Sequence, residues 1–503
     1  MSTTENAVET PPLDFRLLPA AALCWLTTLF GILLGWRVAL GMFVVLTVVA
    51  AAVFVAFRYR AALARRVGAG VIAALLLAAG FSLAVCVRSH ASTTHPLAEL
   101  GEGAYVTATV VLSDDPKPIR SPGGPAWVTV PAQLREIRIA AGASAIGGAV
   151  VVMAPADSWR TLLPGQEVEV RGSVRPPRHS DLTVAMIRAT GPPRRVEAPS
   201  RLQRFAGDVR TRFAAAASEA LPGAEGGLLP GLVVGDTSGL PDGVREEFRA
   251  AGLSHLTAVS GANVAILLGA VLLSVRGLTL GPRTGVVLAA LALAMFVVIA
   301  RPSPSVLRAA VMGAVGLLAL VTGRRKQAIP ALATAVIVLL AVYPALAVDF
   351  GFALSVLATA GLILLAPTWA DWLRARGVPR AAAETLAVAT AAFAVTTPVV
   401  AAMSGTVSTV SIVANLLVGI VIAPITVVGA IAAVLASVWF PAAVVVARCL
   451  GPPLSWLIWV AEQAAAFPGA SITVPSGIPG AVLALSGVVA VGVGIRFAVG
   501  RTR

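Results

Sequence analysis

The stretch SIVANLLVGIVIAPITVVG (411–429) decides the class of fold: it carries no charged residue, and its hydrogen-bonding side chains are Ser411, Asn415 and Thr426 alone. Coiled at about 1.5 Å per residue, a segment of this length crosses a hydrocarbon core of about 30 Å. Pro424 removes one helical hydrogen bond, which predicts two half-helices within 406–438 and places Asn415 near the break. Equally apolar runs lie near 255–275, 284–300, 305–322, 328–347, 350–367, 381–403, 441–467 and 478–497, and three more open the chain near 17–36, 38–57 and 67–87. Composition agrees: of 503 residues, 57% are hydrophobic and 12% charged, against about 25% charged in a soluble domain. The expected fold is a polytopic α-helical membrane protein of about 12 spans, interrupted once by an inserted domain of another kind.

Residues 95–197 are the interruption. Alternating runs AYVTATVVL (104–112), GAVVVMA (148–154), QEVEVRGSV (166–174) and DLTVAMIRA (181–189) read as strands. Pro and Gly clusters separate them: DDPKP, SPGGP, LLPGQ and VRPPRHS. Five or six short strands in about 100 residues fit a small β-barrel, and an OB-like barrel is the simplest choice. Basic loops set the sidedness. RYRAALARR (58–66) has arginines and no acid, so it belongs in the cytoplasm, with the N-terminus inside and the barrel outside. VRGLTLGPR (275–283), GRRKQ (323–327), RARGVPR (374–380) and the Arg496 to Arg503 tail then also fall inside. The polar residues 1–16 and the run after them show no cleavable signal, and Trp25 and Trp36 are candidate interfacial anchors or helix-packing residues.

The expected organisation is an N-terminal membrane region (1–90), the external barrel (95–197), a basic linker or amphipathic helix (198–224), a second membrane region (225–498) and a cytoplasmic tail (499–503). The linker and the end of the barrel are strongly basic. Between 171 and 212, ten arginines face Asp181, Glu197 and Asp208, a balance of 10 − 3 = +7. Positive charge outside runs against the usual bias. It suits anionic headgroups or a solvated face, and equally an electrostatic funnel for a polyanion. On the second reading Arg171, Arg175, Arg178, Arg188, Arg194, Arg195, Arg201 and Arg204 are the phosphate-binding candidates, with Trp127, Trp159 and Phe205 as sparse stacking platforms.

Polar groups inside apolar spans are costly, about 2.5–3.5 kcal/mol for a charge at mid-bilayer, and so are functional candidates. The densest set is GLLPGLVVGDTSGLPDGVREEFRAAGLSHLTAVSGANVAIL (227–267). It holds Asp236 in a glycine-rich turn, an amphipathic piece VREEFRAAG (244–252), and then His255, Ser260 and Asn263 at the start of a span. Farther on are Arg308 within PSPSVLRAAVMGAVG (302–316), able to snorkel or to meet a phosphate, and Asp349 as a helix cap. A hydrolase built on Ser254 or Ser260 with His255 is disfavoured, because AVSGAN lacks the first glycine of a nucleophile elbow. Cys24, Cys86 and Cys449 sit in apolar runs as small hydrophobes, and His90, His95, His179 and His255 form no zinc-binding pair. No catalytic residue, metal or cofactor is expected. No GxxxxGK[ST] loop is present, so any motor is another protein.

Four segments, GLVVGDTSGLP with FRAAGLSHLTAVSGANVAIL, PSVLRAAVM, DFGFALSVLATAGLIL and ANLLVGIVIAP, resemble the Competence domain of the ComEC family, in family order. The three opening spans and external barrel are similar to that family's front half. The resemblance implies an inner-membrane channel that passes single-stranded DNA into the cytoplasm during natural transformation. It transfers Asp236, His255, Ser260, Asn263, Arg308, Asp349 and Asn415 as channel-region candidates, with no individual roles. It also implies separate partners: a DNA receptor, a cytoplasmic motor and either a separate nuclease or none. Many relatives continue into a metallo-β-lactamase-like domain; here the sequence ends at Arg503 without the histidine cluster, and the barrel lacks the cysteines of some relatives' disulfide. The competing expectations are a transporter or flippase for another anionic solute or lipid, and a membrane-embedded hydrolase.

Overall fold

The structure, a computed structural model, describes residues 14–58, 62–119, 126–139, 142–178, 180–257, 259–323 and 327–500. The polar start 1–13, the loop centres 59–61 and 324–326, the SPGGP cluster, His179 and the tail from 501 lie outside the described residues.

All twelve apolar runs contain a helix, since a backbone without water satisfies its polar groups internally only when coiled or closed into a barrel. Their lengths differ from expectation. Among the described residues, seven helices are long and apolar enough to cross a membrane: Trp36–Phe57, Gly68–Thr93, Pro282–Ala300, Pro304–Val321, Phe350–Arg374, Arg380–Ser404 and Ser411–Val438. An eighth candidate is a pair, Phe440–Arg448 and Gly451–Ala466, bent by 50° at a break followed by Pro452 and Pro453. Leu18–Leu34, Gly261–Gly277, Ala328–Val342 and Ile478–Val493 are shorter apolar helices of 10–17 residues. Apolar run and helix therefore differ in both directions: the run near 67–87 lies inside the longer helix Ala62–Thr93, and the run near 328–347 holds the shorter Ala328–Val342.

Pro424 does not divide its helix: Ser411–Val438 is continuous through it. A buried stripe of Ala414, Val418, Ile425, Gly429, Ala432 and Ala436 packs along both halves and holds them as one element. The short helix sits elsewhere. Ala224–Val234 is buried from Gly226 through Val234 apart from Gly227, and it ends at Gly235 in the left-handed conformation, φ 73°. It is the centre of the largest apolar cluster, with Phe213, Phe248, Val418, Ile425 and Leu454 around it.

The N-terminal helices pack on this bundle and do not float beside it. Leu18–Leu34 lies against Ala62–Thr93 and Ala328–Val342. Trp25 donates from Nε1 to the Ala347 carbonyl at 3.0 Å, and its ring is 5.3 Å from Phe352. Trp25 is therefore a packing residue between regions. Cys24 and Cys86 are buried as expected, whereas Cys449 is exposed at the surface of the bundle.

The inserted domain is a closed barrel. Its strands are β1 (Tyr105–Leu112), β2 (Lys117–Ile119), β3 (Trp127–Ile139), β4 (Gly142–Ser144), β5 (Gly148–Pro155), β6 (Glu167–Arg175) and β7 (Thr183–Ala189). Five of them run β1-β6-β7-β5-β3 and close because β3 also pairs with β1; β5 and β7 are parallel, and β2 and β4 are short additions along β3. Inward residues Val110, Val130, Val152, Val168 and Ile187, with Trp159, make a fully buried core. The long strand β3 is the one that alternation hides, because Pro131 and the charged Arg135, Glu136 and Arg138 interrupt it. Pro131 is tolerated because its carbonyl accepts from Ser113 just beyond the β1–β3 ladder, which ends at Ala132, so the missing N–H faces no ladder partner.

Candidate functional site

The motif residues of 227–267 converge where the C-terminal end of Ala224–Val234 meets the N-terminal end of Gly261–Gly277. The expected span from 255 is in fact a one-turn 3₁₀ helix, Ser254–Leu256, followed by a helix whose N-cap is Ser260. The Ser260 hydroxyl donates to Asn263 Oδ1 at 3.0 Å, and Asn263, 3% exposed, donates from Nδ2 to the Leu232 carbonyl at 2.7 Å. Asn263 thereby occupies a carbonyl in the last turn of one short helix from the first turn of the other. Ser260 is committed to this joint, and His255 is exposed beside it.

Arg308 reaches the same joint from Pro304–Val321. Its side chain is buried at 7% exposure, with Nε donating to Ser355 Oγ at 2.8 Å and Nη1 lying 3.2 Å from the Met312 sulfur. A Cβ on Gly261 would collide with Nη2, so glycine is required for this approach. Among the described residues no carboxylate pairs with Arg308. A guanidinium has five donors, and a hydroxyl and a thioether are weak partners for a full charge. A positive group at a helix N-terminus, itself positive, is electrostatically poised for an anion.

The other candidates are arranged around the joint. Asp349 is the N-cap of Phe350–Leu364, its Oδ1 accepting from Phe352 N at 2.7 Å, which is the capping role expected. Asn415 donates back to the Ser411 carbonyl at 2.8 Å within an unbroken helix, so it marks no break. Asp236 closes its turn by accepting from Ser238 N and Oγ, at 3.1 and 2.7 Å. It lines a cavity of about 420 Å³ with Ser218, Gly227, Ser238 and Gly239. The turn sits close because a Cβ on Gly227 would collide with the Gly239 carbonyl. No arginine lines this cavity.

The eight basic candidates are all exposed. Among the described residues Arg175 is the one of them that makes an ion pair, with Glu102 at 2.6 Å, and Arg188 lies over the Trp127 ring at 4.9 Å. The linker brings the two halves of the set together: the Arg194 backbone pairs antiparallel with that of Glu169 in β6, the strand that carries Arg171 and Arg175. Arg201 and Arg204 follow on the first turn of the helix Arg201–Ala220, capped by Ser200. Trp159 is not a platform; it is fully buried in the barrel with Nε1 bound to the Gly191 carbonyl. Phe205 is 44% exposed and remains available.

A hub that the sequence reading missed joins barrel to bundle. Asp115, in the β1–β2 connection, accepts from Arg301 Nε at 2.9 Å and lies 3.5 Å from Arg210. Arg210 also donates to the carbonyls of Val234 and Ile299, at the ends of two helices, and Arg301 donates to Gln203. Burial pulls Arg210 below its ordinary range while Asp115 pushes it back up. The available signals were Arg301 at the end of a span before Pro302, and the paired acids of DDPKP.

Against known proteins, the family profile described as Competence protein matches residues 232–498, more than half of the chain. This chain belongs to the Competence protein family. The Competence region so defined contains all seven channel-region candidates, from Asp236 to Asn415, together with Arg301. The chain is also similar to "ComE operon protein 3" of Bacillus subtilis (strain 168), at 33% identity over 144 residues, which is 29% of this chain and 19% of that protein's length. No solved structure matches it significantly.

Proposed function

We propose that this Competence-family membrane protein is the channel through which single-stranded DNA enters the cytoplasm in natural transformation. The observation that carries the reading is Arg308: a buried guanidinium with no carboxylate partner among the described residues, at a joint of two short helices where the Competence match begins. Half-helix ends around a buried site are how membrane transporters hold charged cargo. The eight exposed arginines give the polyanion its first contact, on the small closed barrel and the linker that follows it. Phosphates exchanging among cations of a low-acid path need no covalent step, so the chain works as a conduit and not as an enzyme. Its Ser260 is engaged with Asn263 and is no nucleophile in waiting.

In this reading the barrel is external, both termini are cytoplasmic, and the twelve apolar helical segments cross or enter the plasma membrane, the shorter ones packed inside the bundle. The basic loops at 275–283 and 374–380 support that sidedness. A receptor delivers the DNA and a motor supplies the drive, each as a separate protein.

Deleting the gene in a transformable host and measuring internalised labelled DNA tests the role. Loss of internalisation with surface binding retained is the expected result, and unchanged internalisation would overturn it. Competition separates DNA from other anions. Oligonucleotides should displace labelled DNA where mononucleotides and phospholipid headgroups do not; equal displacement by headgroups would favour a lipid transporter.

A further inference from the structure

A groove of about 280 Å³ runs between the third N-terminal helix and the Competence region, away from the joint and from the barrel arginines. One wall is Leu76, Leu77, Gly80, Phe81, Ala84, Val85 and Arg88; the other is Leu340, Ala341 and Pro344. Six of the first seven are apolar and share one face of the Ala62–Thr93 helix, at the four-residue spacing of a single stripe. From Leu76 to Arg88 the helix rises about 18 Å, close to half of a hydrocarbon core of about 30 Å.

Arg88 is the only charged residue in the lining. Its side chain is exposed, and it has no hydrogen bond or ion pair with any described residue. It lies about 7.5 Å of helical rise below Thr93, where the chain leaves for the barrel. Beside it, Trp36 packs edge-on against His90 at 4.9 Å and carries Arg37 over its ring at 5.4 Å. Trp and Arg gathered at one level of a membrane helix mark the headgroup region. An apolar slot one leaflet deep, opening at its headgroup end on an unpaired cation, matches one class of molecule.

We infer that this groove holds an anionic phospholipid of the barrel-side leaflet, with an acyl chain along Leu76 to Val85 and its phosphate on Arg88. Bound there, the lipid bridges the N-terminal helices and the Competence region, which also meet directly in the cluster of Val85, Cys86, Leu340 and Phe352. Gly80 forms the floor, and a Cβ built on it meets nothing within 4 Å. A larger side chain there starts from a Cβ free of collision and projects into the slot.

The test is native mass spectrometry of the full chain in detergent with added phosphatidylglycerol or phosphatidylcholine. The wild type should retain phosphatidylglycerol in preference, and Arg88→Gln should lower that preference about five-fold, the weight of one interfacial cation. Gly80→Leu should lower retention of both lipids, and glycerol phosphate without acyl chains should not compete. Equal retention of the two lipids by the wild type would overturn the proposal. So would an unchanged preference in Arg88→Gln, unchanged retention in Gly80→Leu, or displacement by glycerol phosphate.

Discussion

The barrel wall and the bundle interior use arginine in opposite ways. On the wall and the linker that continues it, Arg171, Arg178, Arg194, Arg195, Arg201 and Arg204 are exposed and have no acidic partner among the described residues. In the interior, Arg210 and Arg301 are nearly buried and tied to Asp115, two helix-end carbonyls and Gln203. Removing a charge from water is costly, so an interior arginine persists only where partners or cargo compensate it. A solvated arginine costs nothing to keep and stays free for a polyanion. Arg308 is the exception that links the two sets: interior by burial, unpaired like the wall.

That contrast breaks most directly at Asp115. Asp115→Ala leaves two guanidiniums without their carboxylate, and unfolding of the purified protein should show a loss of about 3 kcal/mol. Asp114→Ala, which removes an ion pair to the exposed Lys117, should cost about 0.5 kcal/mol or less. Equal effects would mean that the hub is no more than a surface pair. A smaller effect is expected at Arg308. Replacing a buried unpaired charge by a hydrophobe of similar length, Arg308→Met, should leave stability unchanged or raise it by about 1 kcal/mol, while DNA internalisation is lost. A destabilised variant would move Arg308 into the architectural class with Arg210.

The smallest effect is a pH slope in the barrel's attachment. His95 precedes the first barrel strand, is buried, and accepts from Leu97 N at Nδ1, 3.2 Å. Burial holds its pKa below the ordinary 6.5. The unfolded chain therefore takes up a proton first, so stability is constant above about pH 6.5 and declines as pH falls from there toward the lowered value. Melting curves between pH 7 and pH 5 should show this decline, and His95→Asn should lack that part of it.

Much of this architecture was readable because apolar runs and alternating strands have few competing explanations. Four barrel strands lay where alternation put them, and every apolar run contained a helix. β3 escaped because a proline and three charges break its alternation, and only the ladder shows why they fit. Two runs hold shorter helices than their length suggested, because Pro344–Val348 and Ser254–Leu256 form one-turn 3₁₀ helices beside the longer ones. At the site, Asp349 as a cap was legible from local chemistry. The bond from Asn263 to the Leu232 carbonyl joins helices 31 residues apart, and the hub joins Asp115 to a residue 186 positions away; no local pattern encodes such pairs.

The central claim is that the wall arginines meet nucleic-acid phosphates. The direct measurement is binding of a labelled single-stranded oligonucleotide to the full chain across salt concentration, for the wild type and for Arg194, Arg195, Arg201 and Arg204 all changed to Gln. If each arginine neutralises one phosphate, the slope of log affinity against log salt should become shallower by about 3. An unchanged slope in the variant, or wild-type binding that ignores salt, would contradict the account.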